Sequence, residues 1–124
     1  MGKAVILAID DNLVQLEFFQ KILVPTYDLR PVKSASSALH FLNMEQADVI
    51  LLDIEMPNIT GFDFLFDIKK IPSYMDVPII IVSGNSGQEF FNKARSSHAF
   101  DVLTKPVTQD TLIRVIEKAL ASVA

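Results

Sequence analysis

Five polar residues of the kinds that bind metals or phosphate stand at the ends of short apolar runs. They are Asp10, Asp11, Asp53, Ser83 and Lys105, and the runs that lead into them are 4–9, 49–52, 78–82 and 100–104. Carboxylates held close together repel one another, and their pKa values rise unless a cation lies among them. A hard divalent cation that binds oxygen ligands would offset this repulsion. A site with few protein ligands, and so with positions left for water, suits Mg²⁺ better than Ca²⁺.

The serine and the lysine extend this chemistry to phosphate. Mg²⁺ in such sites usually accompanies a phosphate group, and Ser83 and Lys105 can donate hydrogen bonds to phosphoryl oxygens. A carboxylate can itself be the nucleophile and form an aspartyl phosphate. The residue types therefore predict Mg²⁺-dependent phosphoryl transfer onto one of the acids. Asp53 is the best candidate, because its strand is expected to lie between the other strands.

The apolar runs are predicted to be β-strands. Residues 49–52 are apolar on both faces, which is typical of a strand buried on both sides of a sheet. A weaker strand is predicted over 27–33, where Pro31 indicates a sheet edge or the start of a strand.

Helices are predicted between the strands. Asn12 and Ser34 are residue types that cap helix N-termini, and Thr108 or Asp110 can cap the last helix. Apolar residues at helical spacing then predict helices over 13–24, 35–42, 62–69, 88–96 and 112–120.

Strand and helix thus alternate five times, which predicts an α/β fold with a doubly wound, five-stranded parallel sheet. The flavodoxin-like (βα)5 order 2-1-3-4-5 fits this number of strands. Because the carboxyl ends of parallel strands share one edge, the five polar residues are expected to meet in one crevice there.

Composition narrows the classes of function. A chain of 124 residues predicts one domain over residues 1–124, with no output domain in this chain.

The net charge of −4 disfavours nucleic acid and anionic membrane surfaces as partners. The absence of cysteine excludes disulfides and thiolate catalysis. The first apolar run is too short for a signal peptide or a membrane span, so we expect a cytoplasmic location without membrane insertion.

The order and spacing of these motifs resemble the receiver domain of two-component response regulators, of the chemotaxis-regulator type. The matching features are Asp10-Asp11, Asp53 within 51–57, Gly61, Ser83 and Lys105-Pro106. The resemblance extends over essentially the whole chain and implies a signalling domain that catalyses its own phosphorylation and dephosphorylation.

The resemblance implies a role for each acid at the site. Asp53 is implied as the phospho-acceptor and as one ligand of Mg²⁺, for which Mn²⁺ is the expected substitute. Asp11 is implied as a direct metal ligand and Asp10 as a ligand through water. Glu55 is implied to contribute its main-chain carbonyl oxygen to the same ion.

The resemblance also implies how the phosphoryl group is bound and sensed. Ser83 and Lys105 match the hydroxyl and the ammonium that bind it, and the peptide bond before Pro106 is expected to be cis. Receivers of this kind often carry an aromatic switch residue three positions before the lysine, where this chain has Val102. Phe100, two residues earlier and on the same face of its strand, is the candidate substitute.

The implied partner is a sensor histidine kinase or a histidine phosphotransfer protein, in a phosphorelay. The surface of the fourth helix, fifth strand and fifth helix is the implied read-out, and a homodimer through it is one expected assembly.

Three other functions stay open at this point. One is a receiver-like binding module that is regulated without phosphorylation. Another is a small Mg²⁺-dependent aspartyl phosphohydrolase of the haloacid dehalogenase type, whose Asp-x-Asp signature would need Asp where Glu55 stands. The third is an FMN-binding module, which the clustered acids disfavour because they would repel the FMN phosphate.

Overall fold

The computed structural model describes residues 2–57 and 59–124, so that Met1 and Asn58 lie outside the described residues. Strands and helices alternate along the chain, with a short 3-10 helix at Pro72–Tyr74. The strands are β1 Val5–Ile9, β2 Asp28–Val32, β3 Val49–Asp53, β4 Ile79–Ser83 and β5 Asp101–Thr104. The helices are α1 Leu13–Leu23, α2 Ala35–Met44, α3 Gly61–Lys69, α4 Gln88–Ser96 and α5 Gln109–Ser122.

The strands form one parallel sheet in the order β2-β1-β3-β4-β5, which confirms the predicted fold class and strand order. The register aligns the carboxyl ends of the central strands. Ile9 pairs with Leu52, Asp53 with Val82, and Ser83 with Thr104. Residues that end neighbouring strands therefore lie at nearly the same level of the sheet.

The two faces of the sheet are covered by different helices. Ile50 and Leu52 belong to an apolar cluster with α2, α3 and α4, whereas Val49 and Leu51 belong to a cluster with α1 and α5. This division follows from the alternation of side chains along a strand. Every residue of β3 and of β4 is buried, as expected for strands covered on both sides.

Local chemistry explains where the helices begin and end. The side chains of Asn12, Ser34 and Thr108 accept backbone N–H bonds in the first turns of α1, α2 and α5, as predicted. Helix α1 ends one residue before the predicted limit, because Val24 precedes a proline and adopts an extended conformation.

Among residues 2–57 and 59–124, every helix is too short or too polar to cross a membrane.

Candidate functional site

The carboxyl edge of the sheet holds the polar residues that the sequence places at strand ends. Asp53 and Ser83 are the last residues of β3 and β4, and Asp10 directly follows β1. All three are almost fully buried, with 4%, 0% and 1% of their surface exposed. Asp11 is exposed. The site is therefore a crevice with a buried floor and one open side.

Three carboxylates form the floor and wall of this crevice. Asp10, Asp11 and Asp53 each place one carboxylate oxygen within 4.8 Å of the oxygens of the other two. Asp10 Oδ1 accepts the backbone N–H of Asn12 at 2.9 Å. Asp10 Oδ2 is buried and accepts no hydrogen bond from the described residues.

A buried oxygen that accepts no hydrogen bond disfavours the ionised form of the carboxylate. Burial raises the pKa of Asp10 to about 6, and the nearby charge of Asp53 adds to this effect, while the Asn12 N–H and Lys105 oppose it. A divalent cation with oxygen ligands would relieve both the burial and the repulsion. The donor set of the crevice thus fits a hard divalent ion.

Lys105 provides the positive charge within the described part of the crevice. Its Nζ lies 3.5 Å from Asp53 Oδ2 and 3.8 Å from Asp10 Oδ2. The backbone N–H of Lys105 donates to the carbonyl oxygen of Ser83 at 2.8 Å, which ties the end of β5 to the end of β4. The peptide bond between Lys105 and Pro106 is cis.

Glu55 connects the end of β3 with the end of β4 through its side chain. Its backbone N–H donates to Asp53 Oδ1 at 3.0 Å. Its Oε1 accepts the Ser83 hydroxyl at 2.8 Å and the Gly84 backbone N–H at 2.7 Å. These two hydrogen bonds lower the pKa of the Glu55 carboxyl group, because they favour its charged form.

Sequence reasoning missed this contact. The sequence gives Glu55 a main-chain role at the metal site, but it does not predict a side-chain contact with Ser83 or Gly84. The available signal was an acidic side chain two residues after Asp53, which the fold brings close to the serine that ends the neighbouring strand.

Gly61 lets α3 approach the chain that follows Asp53. A Cβ atom added at Gly61 would lie 2.6 Å from Ile54 Cγ1 and 2.8 Å from Ile54 Cα, and it would also meet the Ile54 carbonyl oxygen. These distances are far below ordinary contact, so only glycine permits this packing. The first turn of α3 therefore supports the backbone beside the crevice.

Phe100 is not brought together with the residues at the carboxyl edge. It precedes β5, and its backbone N–H donates to the carbonyl oxygen of Ile79 at the amino end of β4. It lines open cavities of about 440 and 310 Å³. Val102 is half-buried and packs against the apolar cluster shared with α4. An aromatic side chain at 100 thus lies at the opposite end of β5 from Lys105.

A five-stranded parallel α/β sheet with clustered carboxylates, a hydroxyl and an ammonium at its carboxyl edge is the architecture of receiver-type signalling domains. The family model of the response regulator receiver domain matches residues 6–117. The chain belongs to this family, and it is a receiver domain of the kind found in two-component systems.

Relatives and solved structures agree with this assignment. The chain is 32% identical to the 3',5'-cyclic-nucleotide phosphodiesterase regA of Dictyostelium discoideum over 98% of this chain, but it spans only 16% of that protein. It is also 32% identical to the two-component response regulator ORR12 of Oryza sativa subsp. japonica, over 94% of this chain and 98% of the relative.

Among solved structures, the chemotaxis protein CheY4 of Vibrio cholerae superposes with a TM-score of 0.89 at 25% identity, over 96% of this chain and 100% of that one. The receiver domain of the sensor histidine kinase PA1611 of Pseudomonas aeruginosa has the same fold, with a TM-score of 0.87 at 23% identity, over 97% and 99% of the two chains. That structure has a magnesium ion coordinated in its active-site cleft.

Proposed function

We propose that this domain accepts a phosphoryl group on Asp53 from a phosphohistidine of a sensor histidine kinase or a histidine phosphotransfer protein. The observation that carries the proposal is the position of Lys105 Nζ, 3.5 Å from Asp53 Oδ2 at the mouth of an acidic crevice. A buried carboxylate beside an ammonium group is suited to nucleophilic attack on phosphorus.

The metal site belongs to the same proposal. Asp10, Asp11 and Asp53, with the main-chain carbonyl of Glu55, would hold Mg²⁺ or the similar Mn²⁺, with Asp10 acting through water. The buried Oδ2 of Asp10, which accepts no hydrogen bond from the described residues, supports this assignment. When bound, the ion supplies positive charge that offsets the negative charge of the phosphoryl oxygens.

The chain's own residues would then act by positioning and by charge. The Glu55 N–H orients the Asp53 carboxylate through Oδ1. An Asp53 oxygen forms a bond to phosphorus as the bond between phosphorus and the donor histidine nitrogen breaks. Lys105 and the Ser83 hydroxyl stabilise the phosphoryl oxygens, which is the largest contribution that a protein makes in such transfers.

The product would alter the neighbouring surface electrostatically. An aspartyl phosphate adds a dianionic group where a single carboxylate stood, which attracts hydrogen-bond donors from the end of β4. Ser83 and Gly84 lead directly into the connection to α4. We therefore propose the surface of α4, β5 and α5 as the read-out, and a homodimer through that surface as one assembly.

The test is phosphorylation by a small-molecule donor. The protein is mixed with Mg²⁺ and acetyl phosphate, and an acid-stable, base-labile phosphoryl adduct is located by mass spectrometry. We expect the adduct on Asp53, its loss in Asp53→Asn, and unchanged labelling in Asp67→Asn, which removes an exposed carboxylate on α3.

Equal labelling of Asp53→Asn and the parent protein would show that the acceptor is another residue. A parent protein that neither labels nor binds Mg²⁺ would contradict the proposed function itself.

A further inference from the structure

We propose that the Glu55 side chain is a positioning residue that holds the two hydrogen-bond donors at the end of β4 in the unphosphorylated protein and must leave them when Asp53 is phosphorylated. The inference rests on the proposed function, because it concerns the donors that the phosphoryl group would use.

The geometry places one anionic oxygen against both donors. Glu55 Oε1 accepts the Ser83 hydroxyl at 2.8 Å and the Gly84 N–H at 2.7 Å. A hydroxyl with one proton and an amide with one proton each have a single hydrogen to donate. The Ser83 oxygen also accepts the N–H of Asn85 at 3.0 Å, which fixes the orientation of the hydroxyl. Both donors are therefore used by Glu55.

A phosphoryl oxygen on Asp53 needs donors of this kind. Charge-assisted hydrogen bonds to an anionic oxygen are the strong ones in proteins, and an acceptor already in place competes for them. The backbone N–H of Glu55 is bonded to Asp53 Oδ1, so the main chain of Glu55 is held beside the reaction centre. The like charges of a phosphoryl group and a carboxylate would also repel one another at this range.

The Glu55 side chain is free to leave this contact. Glu55 and Gly84 are exposed, whereas Ser83 is fully buried. The carboxylate can therefore turn into solvent and recover its hydration, while the hydroxyl stays at the site. Displacement of Glu55 would release the Gly84 N–H, at the start of the connection to α4, and leave it free to bond the phosphoryl group instead.

Binding of beryllium fluoride with Mg²⁺, a phosphoryl analogue, tests the competition directly. Glu55→Ala removes the competing oxygen, keeps the main-chain carbonyl, and should tighten binding about tenfold, the equivalent of one charge-assisted hydrogen bond. Glu55→Asp keeps the charge but shortens the side chain by one methylene, so it should also tighten binding. The matched control is Glu89→Gln, which neutralises an exposed acid in the first turn of α4 and should leave binding unchanged.

The outcomes separate this inference from the proposed function. An affinity of Glu55→Ala equal to that of the parent would overturn the competition. Tightening in Glu89→Gln equal to that in Glu55→Ala would show that general charge, and not occupancy of the donors, is responsible. Binding by neither the parent nor any variant would overturn the proposed function, and the displacement step with it.

Hydrogen exchange of the Gly84 amide in the free protein tests the contact without any phosphoryl analogue. We expect Glu55→Ala to speed this exchange about tenfold, because it removes the acceptor of that N–H, and Glu89→Gln to leave it unchanged. An unchanged rate in Glu55→Ala would contradict the holding role.

Discussion

Lys105 Nζ lies 3.5 Å from Asp53 Oδ2, although β4 separates the strand that ends in Asp53 from the strand that precedes Lys105. The same ammonium lies 3.8 Å from Asp10 Oδ2. One cation thus faces two buried carboxylates, and Asp11 adds a third acid at the open side. The crevice therefore carries an excess of negative charge that Lys105 only partly offsets. Because of this excess, removal of the Lys105 charge should change the stability of the protein measurably.

Replacement of Lys105 by methionine should destabilise the protein without divalent ions. Removal of the ammonium leaves Asp10 and Asp53 to repel one another in a buried setting, which should cost about 1 kcal/mol at neutral pH after screening by solvent. Urea denaturation at pH 7.5 with a chelator measures the change. Lys118→Met, an exposed position on α5, should leave the midpoint nearly unchanged, and an equal effect of the two variants would argue against the ion pairs.

Replacement of Asp10 by asparagine should stabilise the metal-free protein. The raised pKa of Asp10 means that the folded state binds its proton more tightly than the unfolded chain does, so stability falls as pH rises from about 3.8 to about 6 and then levels off. The asparagine side chain would keep an oxygen acceptor for the Asn12 N–H and remove the buried charge. We expect a gain on the order of 2 kcal/mol at pH 7.5 and none near pH 3.5.

Urea titrations at the two pH values, with a chelator present, check this expectation. The Asp67→Asn variant should keep the pH dependence of the parent. A gain in Asp10→Asn that is the same at both pH values would show that removal of charge is not its cause.

Replacement of Asp11 by asparagine should abolish stabilisation by Mg²⁺ without harming the fold. Asp11 is exposed, so its replacement should change the metal-free melting temperature little. Mg²⁺ at about one hundred times its dissociation constant should stabilise the parent by about 2.7 kcal/mol, and the variant by much less. Thermal melts with and without Mg²⁺ measure both effects. Stabilisation of the variant equal to that of the parent would remove Asp11 from the metal site.

Replacement of Gly61 by alanine should destabilise the protein by roughly 2–4 kcal/mol, because the added Cβ would overlap the Ile54 backbone. The control is Gly87→Ala, where the nearest atom to the added Cβ is Asn85 Oδ1 at 3.5 Å, an ordinary contact. Chemical denaturation of both variants gives the comparison. A Gly61→Ala variant as stable as Gly87→Ala would show that α3 can move away from Ile54 at little cost.

The fold could be predicted from the sequence because its signals are strong and local. Short apolar runs separated by helical patterns determine a parallel sheet, and the ends of its strands then place Asp53 and Ser83 at one edge. The boundary errors have local causes. β5 begins at Asp101 and not at Phe100. The N–H of Phe100 already bonds the carbonyl oxygen of Ile79, but the regular pairing of β5 with β4 starts one residue later.

The parts that could not be predicted depend on how far side chains reach in three dimensions. To predict the contact of Glu55 with Ser83 and Gly84, one must know how the ends of β3 and β4 align in the sheet. The pattern of residue types alone does not give this alignment. Phe100 shows the converse problem. The alternation rule predicts that it shares a face with Val102, but the rule does not say that position 100 lies before the amino end of the strand.

The residues of the acidic crevice come from segments that are far apart along the chain and meet only when the sheet is paired. Part of the free energy that could have made the domain more stable is instead lost to the burial of Asp10 and to its repulsion by Asp53. A bound cation would relieve that repulsion. Selection for stability alone would replace Asp10, so its presence is a compromise between stability and activity. An unfolded chain cannot offer the same ligands together, and occupancy of the crevice is therefore also a measure of how completely the domain has folded.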